Sequence, residues 1–198
     1  MKKTLIAALL AAAPFATMAA SANSAGYLDV YYTDADLDVG GGSDDGDGFG
    51  IRGAGKFSDQ AFIFGEYQSN NYDDSDADID QIRAGVGYIF SQDDSLKLYG
   101  KLGFINIKVD GGGADESENG WTAHAGAAFA LTPAFKLFGE LGYADVADFG
   151  DGLEYLVGAG YSFSEQFGGV LNYRVSELDG DFGDFELSDL QVGVRFNF

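Results

Sequence analysis

The sequence of 198 residues contains no cysteine and only two prolines, whereas glycine occurs 30 times. Without cysteine, the chain can form neither disulfide bridges nor thiolate metal sites. Few prolines and many glycines are typical of strands joined by tight turns rather than of helices. We therefore expect a strand-rich fold that gains no stability from covalent cross-links.

Basic residues are also scarce, with 11 Lys and Arg against 32 Asp and Glu and a net charge of −21. Because phosphate contacts depend on Lys and Arg, this balance argues against nucleic acid as a partner. The single histidine, His124, has no apparent serine nucleophile near it in sequence, and Thr122 is a poor substitute. We therefore expect no catalytic site and no cofactor, and an interior, hydrogen-bonded role for His124.

Long apolar runs are absent except at the start of the chain. Lys2 and Lys3 precede an Ala/Leu-rich stretch over residues 5–15, which is followed by small residues at 20–22. This pattern predicts a secretory signal peptide over residues 1–22, with residues 17–19 as a competing cleavage site. The apolar stretch is too short for a stable membrane helix. Residues 23–198 are then expected to form one domain without membrane helices.

The last residues of the chain alternate strictly between apolar and polar or small side chains. The apolar positions are Leu190, Val192, Val194, Phe196 and Phe198. Side chains alternate across a strand, so one face is wholly apolar, and the chain stops on an aromatic residue. The pattern indicates a lipid-facing strand of a membrane barrel, and the alternative is an amphipathic edge strand of a soluble sheet.

The same alternation resolves the rest of the chain into ten strands. They are predicted near 26–33, 48–57, 61–69, 80–90, 96–107, 120–131, 134–144, 153–163, 167–176 and 187–198. Short turns follow the even strands. Longer Gly/Asp-rich loops follow the odd strands, near 34–47, 70–79, 108–119, 145–152 and 177–186. This arrangement predicts an all-β fold, a transmembrane antiparallel up-and-down β-barrel of ten strands, with eight as the alternative and with periplasmic turns and external loops.

Two kinds of side chain separate onto the two faces of these strands. Aliphatic and small residues, bordered by aromatic residues at two heights, occupy one face, and the Lys and Arg of the strands occupy the other. A soluble barrel would have the opposite arrangement. The inversion predicts lipid outside and a polar lumen inside.

We predict that the lumen holds a charge network centred on Arg52–Glu66 and Lys101–Glu140. Its members are Arg52, Glu66, Arg83, Lys101, Glu140, Arg174 and Arg195. Aligning the hairpins on their short turns predicts a constriction below this network, formed by Phe64, Tyr99 and Phe138. A hydrated polar lumen without specific pairs is the alternative interpretation.

Three segments share an apolar-Gly-aromatic pattern: Arg-Ala-Gly-Val-Gly-Tyr-Ile-Phe at 83–90, Leu-Val-Gly-Ala-Gly-Tyr-Ser-Phe at 156–163 and Gln-Val-Gly-Val-Arg-Phe-Asn-Phe at 191–198. With this pattern the chain resembles small Gram-negative outer-membrane barrels of the OmpX and OmpA transmembrane-domain type, and within them the short barrels of Xanthomonas-like bacteria. The resemblance implies location in the outer membrane, contact with its lipid and lipopolysaccharide, and eight strands. Phe196 and Phe198 resemble the assembly signal that is presented to periplasmic chaperones and the barrel-assembly machinery.

Acidic residues dominate the predicted loops. They include Asp34, Asp36, Asp38, Asp44, Asp45, Asp47, Asp73, Asp74, Asp76, Asp78, Asp110, Asp115, Glu116, Glu118, Asp179, Asp181, Asp184 and Glu186. Residues 74–85 begin like a calcium loop but have Ile79 and Gly85 where such a loop needs glycine and glutamate, so we predict at most weak divalent cation binding. We expect a monomeric scaffold with a structural or surface-recognition role, and the alternative is a narrow passive pore for ions or small solutes.

Overall fold

The computed structural model describes residues 25–111, 114–180 and 183–198, and these form one closed barrel of ten antiparallel strands. The strands are β1 (Gly26–Val39), β2 (Gly42–Lys56), β3 (Ala61–Tyr72), β4 (Asp78–Gln92), β5 (Leu96–Gly111), β6 (Ala114–Ala130), β7 (Phe135–Asp145), β8 (Asp151–Ser162), β9 (Phe167–Gly180) and β10 (Gly183–Asn197). Each strand pairs with the next, and β10 pairs with β1. The prediction of ten strands is confirmed, and the alternative of eight is wrong. The predicted signal peptide lies outside the described residues.

Polar side chains close the four short turns between even and odd strands. The side chains of Ser58, Thr132 and Ser164 each accept a hydrogen bond, 3.0 Å long, from the backbone N–H three residues further on. Asp93 accepts from the N–H groups of Ser95 and Leu96, both at 2.8 Å. These local bonds satisfy backbone donors that the strand ladder leaves unpaired. The short turns therefore lie on one rim of the barrel, as predicted.

The prediction of long loops on the other rim is wrong for most of their length. Strands β1 and β2 stay paired up to Val39 and Gly42, leaving only Gly40 and Gly41 between them. Both glycines have positive φ, 59° and 90°, which a two-residue hairpin turn with matching twist requires. Ladders likewise continue to Gly111–Ala114 and to Gly180–Gly183. The acidic segments keep the alternation of a strand, so they extend the barrel instead of forming loops.

Large apolar side chains cover the outside of the barrel between two aromatic belts. The lower aromatic belt, near the short turns, consists of Phe57, Tyr88, Phe90, Phe129, Tyr161, Phe163, Phe167 and Phe196, and the upper aromatic belt of Tyr32, Phe49, Tyr67, Phe104, Trp121, Tyr143, Tyr155 and Tyr173. Neighbouring rings within the lower belt pack 5.3–5.5 Å apart between centroids. Exposed aliphatic residues such as Ile63, Val86 and Leu102 lie between the belts. This surface fits a lipid bilayer.

Apolar side chains also pack together inside the barrel at its long-hairpin end. The buried members are Ala35, Tyr72, Ile79, Ile105, Ile107, Ala144, Val146, Leu178 and Leu187, and Leu37, Val109, Phe149 and Phe185 pack against them. We call this set the lumenal core. The short 3₁₀ helix Ala147–Phe149, between β7 and β8, brings Phe149 edge-on to Phe185 at 6.5 Å. The barrel is therefore a packed structure above its membrane band. Within the described residues, no helix is long and apolar enough to cross a membrane.

Candidate functional site in the lumen and the extracellular hairpins

A buried ion pair crosses the lumen directly below the lumenal core. Arg83 on β4 donates two hydrogen bonds to Glu154 on β8, at 2.7 and 2.6 Å. Glu154 also accepts from Ser176 at 2.8 Å and lies 2.9 Å from His124 Nε2. Three polar side chains from three other strands thus converge on one carboxylate. The predicted site included Arg83 but not Glu154.

A second carboxylate, Glu66 on β3, joins two guanidinium groups. Arg174 on β9 donates to both of its oxygens at 2.8 and 2.9 Å, while Arg52 Nη1 lies 3.7 Å away. Tyr31 donates to Glu66 at 2.6 Å. The structure therefore brings Arg52 and Glu66 together, but Arg174 makes the shorter contacts. Because strand register identifies neighbours within the sheet, it did not predict this contact between β3 and β9 across the lumen.

Asp29, which is not among the predicted site residues, anchors Arg195. The two side chains share two hydrogen bonds of 2.7 Å, and Arg52 Nε lies 3.7 Å from the same carboxylate. Asp29 is fully buried. The signal was available in the sequence, because Asp29 occupies an inward position between Tyr27 and Tyr31 in the alternation of β1.

Lys101 and Glu140 meet nearer the short turns, on β5 and β7. Lys101 donates to Glu140 at 2.5 Å, and Tyr99 donates to the other carboxylate oxygen at 2.8 Å. Lys101 also lies over the ring of Phe64, 5.0 Å from its centroid. One tyrosine and one lysine therefore hold Glu140 in place on the lumen wall.

Amide side chains form a further layer around Asp189 on β10. Gln68 and Asn70 donate to its Oδ1 at 2.9 and 3.0 Å, Thr33 donates at 3.3 Å, and Gln191 donates to Gln68 at 3.0 Å. All five side chains are buried. The hydrogen bonds link β1, β3 and β10, so the lumen at this level is filled by paired polar groups rather than by open space.

The three residues of the predicted constriction occupy different surroundings from those expected. Phe64, Tyr99 and Phe138 line the wall of a cavity, and the side chains that fill the lumen lie closer to the long hairpins. Aligning the β4–β5 hairpin on Asp93 predicts that Gly87 pairs with Tyr99, which is wrong. Gln92 pairs with Lys97, so the turn is centred after Asp94, and Tyr99 pairs with Ile89. Tyr99 instead covers Gly126 on β6, where a Cβ would lie 2.5 Å from its ring.

The strands extend beyond the upper aromatic belt, and we call these extensions the extracellular hairpins. They carry the acidic residues on their outer surface. Exposed members are Asp34, Asp36, Asp38, Asp45, Asp47, Asp73, Asp74, Asp76, Asp78, Asp115, Glu116, Asp148, Asp151, Glu177 and Asp179. A hydrogen bond with Asp45, together with burial and the charges of Asp45, Asp34 and Asp38, raises the pKa of Asp36. Lys108 is bound to Asp110 at 2.5 Å and lies 3.8 Å from Asp115. The outer surface is therefore strongly negative.

One acidic residue has a structural role in these hairpins. Asp44 accepts hydrogen bonds from the N–H groups of Asp74 at 2.8 Å and Ser75 at 3.0 Å. Bonds from the side chain of Ser75 and from these two N–H groups hold the pKa of Asp44 below its ordinary value. Asp44 thus ties the β1–β2 hairpin to the β3–β4 connection. In the described part of the chain, no three His, Asp or Glu side chains converge as metal ligands.

The chemistry available around His124 is limited by its neighbours. Its Nε2 faces Glu154, and Ser176 donates to Glu154 rather than to the imidazole. A serine nucleophile needs its base within hydrogen-bond reach, whereas here the carboxylate separates the two. We call the ionisable side chains Arg83, Glu154, His124, Arg174 and Glu66 the charged layer of the lumen.

The two residues of the predicted assembly signal lie at the seam between β10 and β1. The N–H of Gly26 donates to Phe198 O at 3.0 Å, and the N–H of Phe198 donates to Gly26 O at 3.1 Å. Phe196 packs 5.3 Å from Phe167 and 6.3 Å from Phe198 between ring centroids. The chain end is therefore part of the barrel wall at the short-turn rim.

Comparison with known protein families finds a match to the model described as outer membrane protein beta-barrel domain, which covers residues 5–151. A comparison with curated protein sequences finds no match.

Solved structures of several bacterial barrels resemble the chain. The translocator domain of the autotransporter NalP from Neisseria meningitidis aligns over 98% of this chain and 95% of its own, with 14% identity and a TM-score of 0.51. Neisserial surface protein A aligns over 88% and 98%, with 19% identity and a TM-score of 0.44. The attachment invasion locus protein Ail of Yersinia pestis aligns over 89% and 99%, with 17% identity and a TM-score of 0.47. The similarity to the NalP domain shows a shared barrel fold.

Proposed function

Because the chain belongs to the outer membrane protein β-barrel family and lies in the outer membrane, we propose that it is a non-conducting scaffold that presents a rigid acidic surface outside the cell. Its partner would be a molecule with a positively charged surface. The protein acts as a monomer surrounded by outer-membrane lipid and lipopolysaccharide, and divalent cations associate only weakly with its hairpins. No catalytic step is part of this function.

The lumenal core is the observation that carries the proposal. Ile105, Val146 and Leu178 are at most 2% exposed although they point into the lumen. Beneath them, the ion pairs Arg83–Glu154 and Arg174–Glu66 span the interior. Transport would require a continuous polar path, and close-packed apolar side chains oppose one. A filled lumen supports a scaffold rather than a pore.

The same packing holds the extracellular hairpins in position. Inward residues of the hairpins, such as Ala35 and Leu187, belong to the lumenal core, while outward residues such as Asp34 and Asp36 face solvent. A surface that is ordered before binding loses less conformational entropy on binding. Its negative charge attracts and orients cationic partners.

Planar-bilayer recordings test the non-conducting part of the proposal. We expect no steady single-channel openings from the purified barrel at either polarity. Steady openings would overturn the scaffold and support the narrow pore, to which the wide cavity at the short-turn end gives access.

A charge-matched pair of variants tests the recognition surface. The triple variant D34N/D38N/D47N removes three charges from the β1–β2 hairpin, and D59N/D94N/E165Q removes three from the short turns. With the barrel in zwitterionic nanodiscs, we expect the first variant to bind a short polylysine peptide several-fold more weakly and the second to bind it like the unmodified protein. Equal losses in both variants would refute a recognition surface located on the hairpins.

A further inference from the structure

A large cavity enters the barrel from the short-turn rim and ends at the charged layer. Its volume is about 450 Å³, within the range of small-molecule sites. Its mouth is lined by Ala25, Asp93, Asp94, Ser95 and Asn197, and its inner end by Arg83, Glu154 and Arg174. Short turns face the periplasm in outer-membrane barrels. The cavity is therefore open to the periplasm, on the opposite side from the acidic hairpins.

The basic residues of this acidic chain are concentrated in the cavity. After Lys3 the sequence contains nine Lys and Arg residues, and all except Lys108 line the cavity wall. They are Arg52, Lys56, Arg83, Lys97, Lys101, Lys136, Arg174 and Arg195. A positive interior in a chain of net charge −21 produces a local field of opposite sign to that of the whole protein.

The cations at the inner end are neutralised, whereas those near the mouth are not. Glu66, Glu154, Glu140 and Asp29 bind the guanidinium groups and Lys101. Among the described residues, no carboxylate lies within ion-pair distance of Lys56, Lys97 or Lys136. All three lysines line the same cavity. Asp93 and Asp94 also line this cavity, but neither forms an ion pair with the three lysines. Three lysines around one opening, unpaired in the described part of the chain, favour the binding of an anion.

Flat aromatic side chains form the wall beside these lysines. Phe62 and Phe138 line the cavity, and Tyr99 meets Phe62 edge-on at 6.0 Å between centroids. Lys97 lies over the ring of Tyr99 at 5.2 Å, and Arg195 over the ring of Phe138 at 5.9 Å. An apolar wall with a few convergent charged groups is the usual composition of a site for a small organic ligand.

We propose that this cavity binds a small organic anion from the periplasm. Its anionic group is held by Lys56, Lys97 and Lys136 at the mouth, and its flat apolar part packs against Phe62 and Phe138. The binding site is independent of the acidic hairpins, so the chain has one binding surface on each side of the membrane.

Calorimetric titration in lipid nanodiscs, corrected with empty nanodiscs, tests this site. The probe is naphthalene-2-sulfonate, and the comparison ligands are the neutral naphthalene-2-sulfonamide and inorganic sulfate. We expect saturable binding of one naphthalene-2-sulfonate per barrel and at least tenfold weaker binding of both comparison ligands. Absence of saturable binding, or equal binding of the sulfonamide or of sulfate, would overturn the proposal.

Lysine variants locate the binding event. In K97Q/K136Q we expect the affinity for naphthalene-2-sulfonate to fall about tenfold, roughly the effect of 1.4 kcal/mol. K97R/K136R should restore it, and K108Q, which alters the one Lys or Arg of the described residues that lies outside the cavity, should leave it unchanged. Heat-modifiable migration on gels verifies that each variant is folded. Unchanged affinity in K97Q/K136Q, or an equal loss in K108Q, would place the binding elsewhere and refute the site.

Discussion

Arg83 and Glu154 face each other across the barrel, on strands that are four positions apart in the sheet, and their atoms approach to 2.6 and 2.7 Å. The pair therefore fixes the distance between two opposite walls. Both side chains are nearly inaccessible to solvent, at 8% and 3% exposure. At such a site the removal of either charge destabilises the fold, because a lone buried charge is much less stable than a pair.

We expect Glu154→Ala to lower the free energy of unfolding by about 3–5 kcal/mol, because it leaves Arg83 buried without a charged partner. The double variant R83A/E154A should lose less than Glu154→Ala alone, since no unpaired charge remains. Urea unfolding in detergent micelles, followed by tryptophan fluorescence, measures both. Equal or larger losses in the double variant would show that the two residues do not act as a pair.

Two glycines on adjacent strands should respond oppositely to alanine. At Gly85 a Cβ would lie 2.2 Å from Leu102 O, a backbone atom that cannot move aside, whereas at Gly65 the nearest atom is 3.8 Å away. We expect Gly85→Ala to lower the free energy of unfolding by about 1–3 kcal/mol. Gly65→Ala should be neutral or raise it by a few tenths, because alanine restricts the unfolded chain. The same urea titration compares the two, and equal behaviour would contradict the clash.

Acid should release the contact between Asp44 and the β3–β4 connection. The pKa of Asp44 is held below its ordinary value by bonds from Ser75 and Asp74. A lowered acid pKa means that the stabilisation is present above the ordinary value of ~4 and is lost as the pH falls through the lowered value. Amide hydrogen exchange, corrected for its intrinsic pH dependence, should show protected N–H groups at Asp74 and Ser75 near neutral pH and loss of protection in strong acid. In Asp44→Ala, protection should be low throughout, and protection at neutral pH in that variant would refute the contact.

The aromatic chain end should matter for assembly more than aromatic residues elsewhere in the lower aromatic belt. We expect Phe198→Ser to reduce several-fold the amount of folded barrel in the outer membrane. Phe163→Ser removes a more exposed ring of the lower aromatic belt and serves as the control, with little effect expected. Heat-modifiable migration of outer-membrane fractions measures the folded amount. Similar losses in both variants would mean that lipid anchoring, and not an assembly signal, explains the requirement.

Local features of the chain predicted most of the barrel. The period of two and the short polar turns at Ser58, Thr132 and Ser164 determine strand number and side-chain direction, so inward residues such as Arg52 and Glu140 were identified from the alternation alone. Hairpin register followed from the turns wherever the ladder is regular, as for Arg52 with Glu66. It failed in the β4–β5 hairpin, because the turn is centred after Asp94 and not at Asp93, and a bulge between Ile89 and Ser91 shifts the ladder by one residue, which no alternation reveals.

Contacts across the lumen could not be predicted from sequence patterns. Arg83 meets Glu154, and Arg174 meets Glu66, because barrel closure brings distant strands face to face. The lumenal core was missed for another reason. Glycine and aspartate have low strand propensity, so their abundance near residues 34–47 favoured loops, although Ala35 and Leu37 keep the alternation of a buried face. Tertiary packing overrides weak local preference in these segments.

The pairing of β1 with β10 has a consequence for the order of events during folding. Nine of the ten strand pairs join neighbours in the chain, and the remaining pair brings Tyr27 beside Asn197. Closing so long a loop carries an entropic penalty that local hairpins avoid. Until that pair forms, both sheet edges present unpaired backbone groups, which are templates for aggregation. The chain therefore has one late, slow step, and its vulnerable intermediate is an open sheet awaiting its last strand.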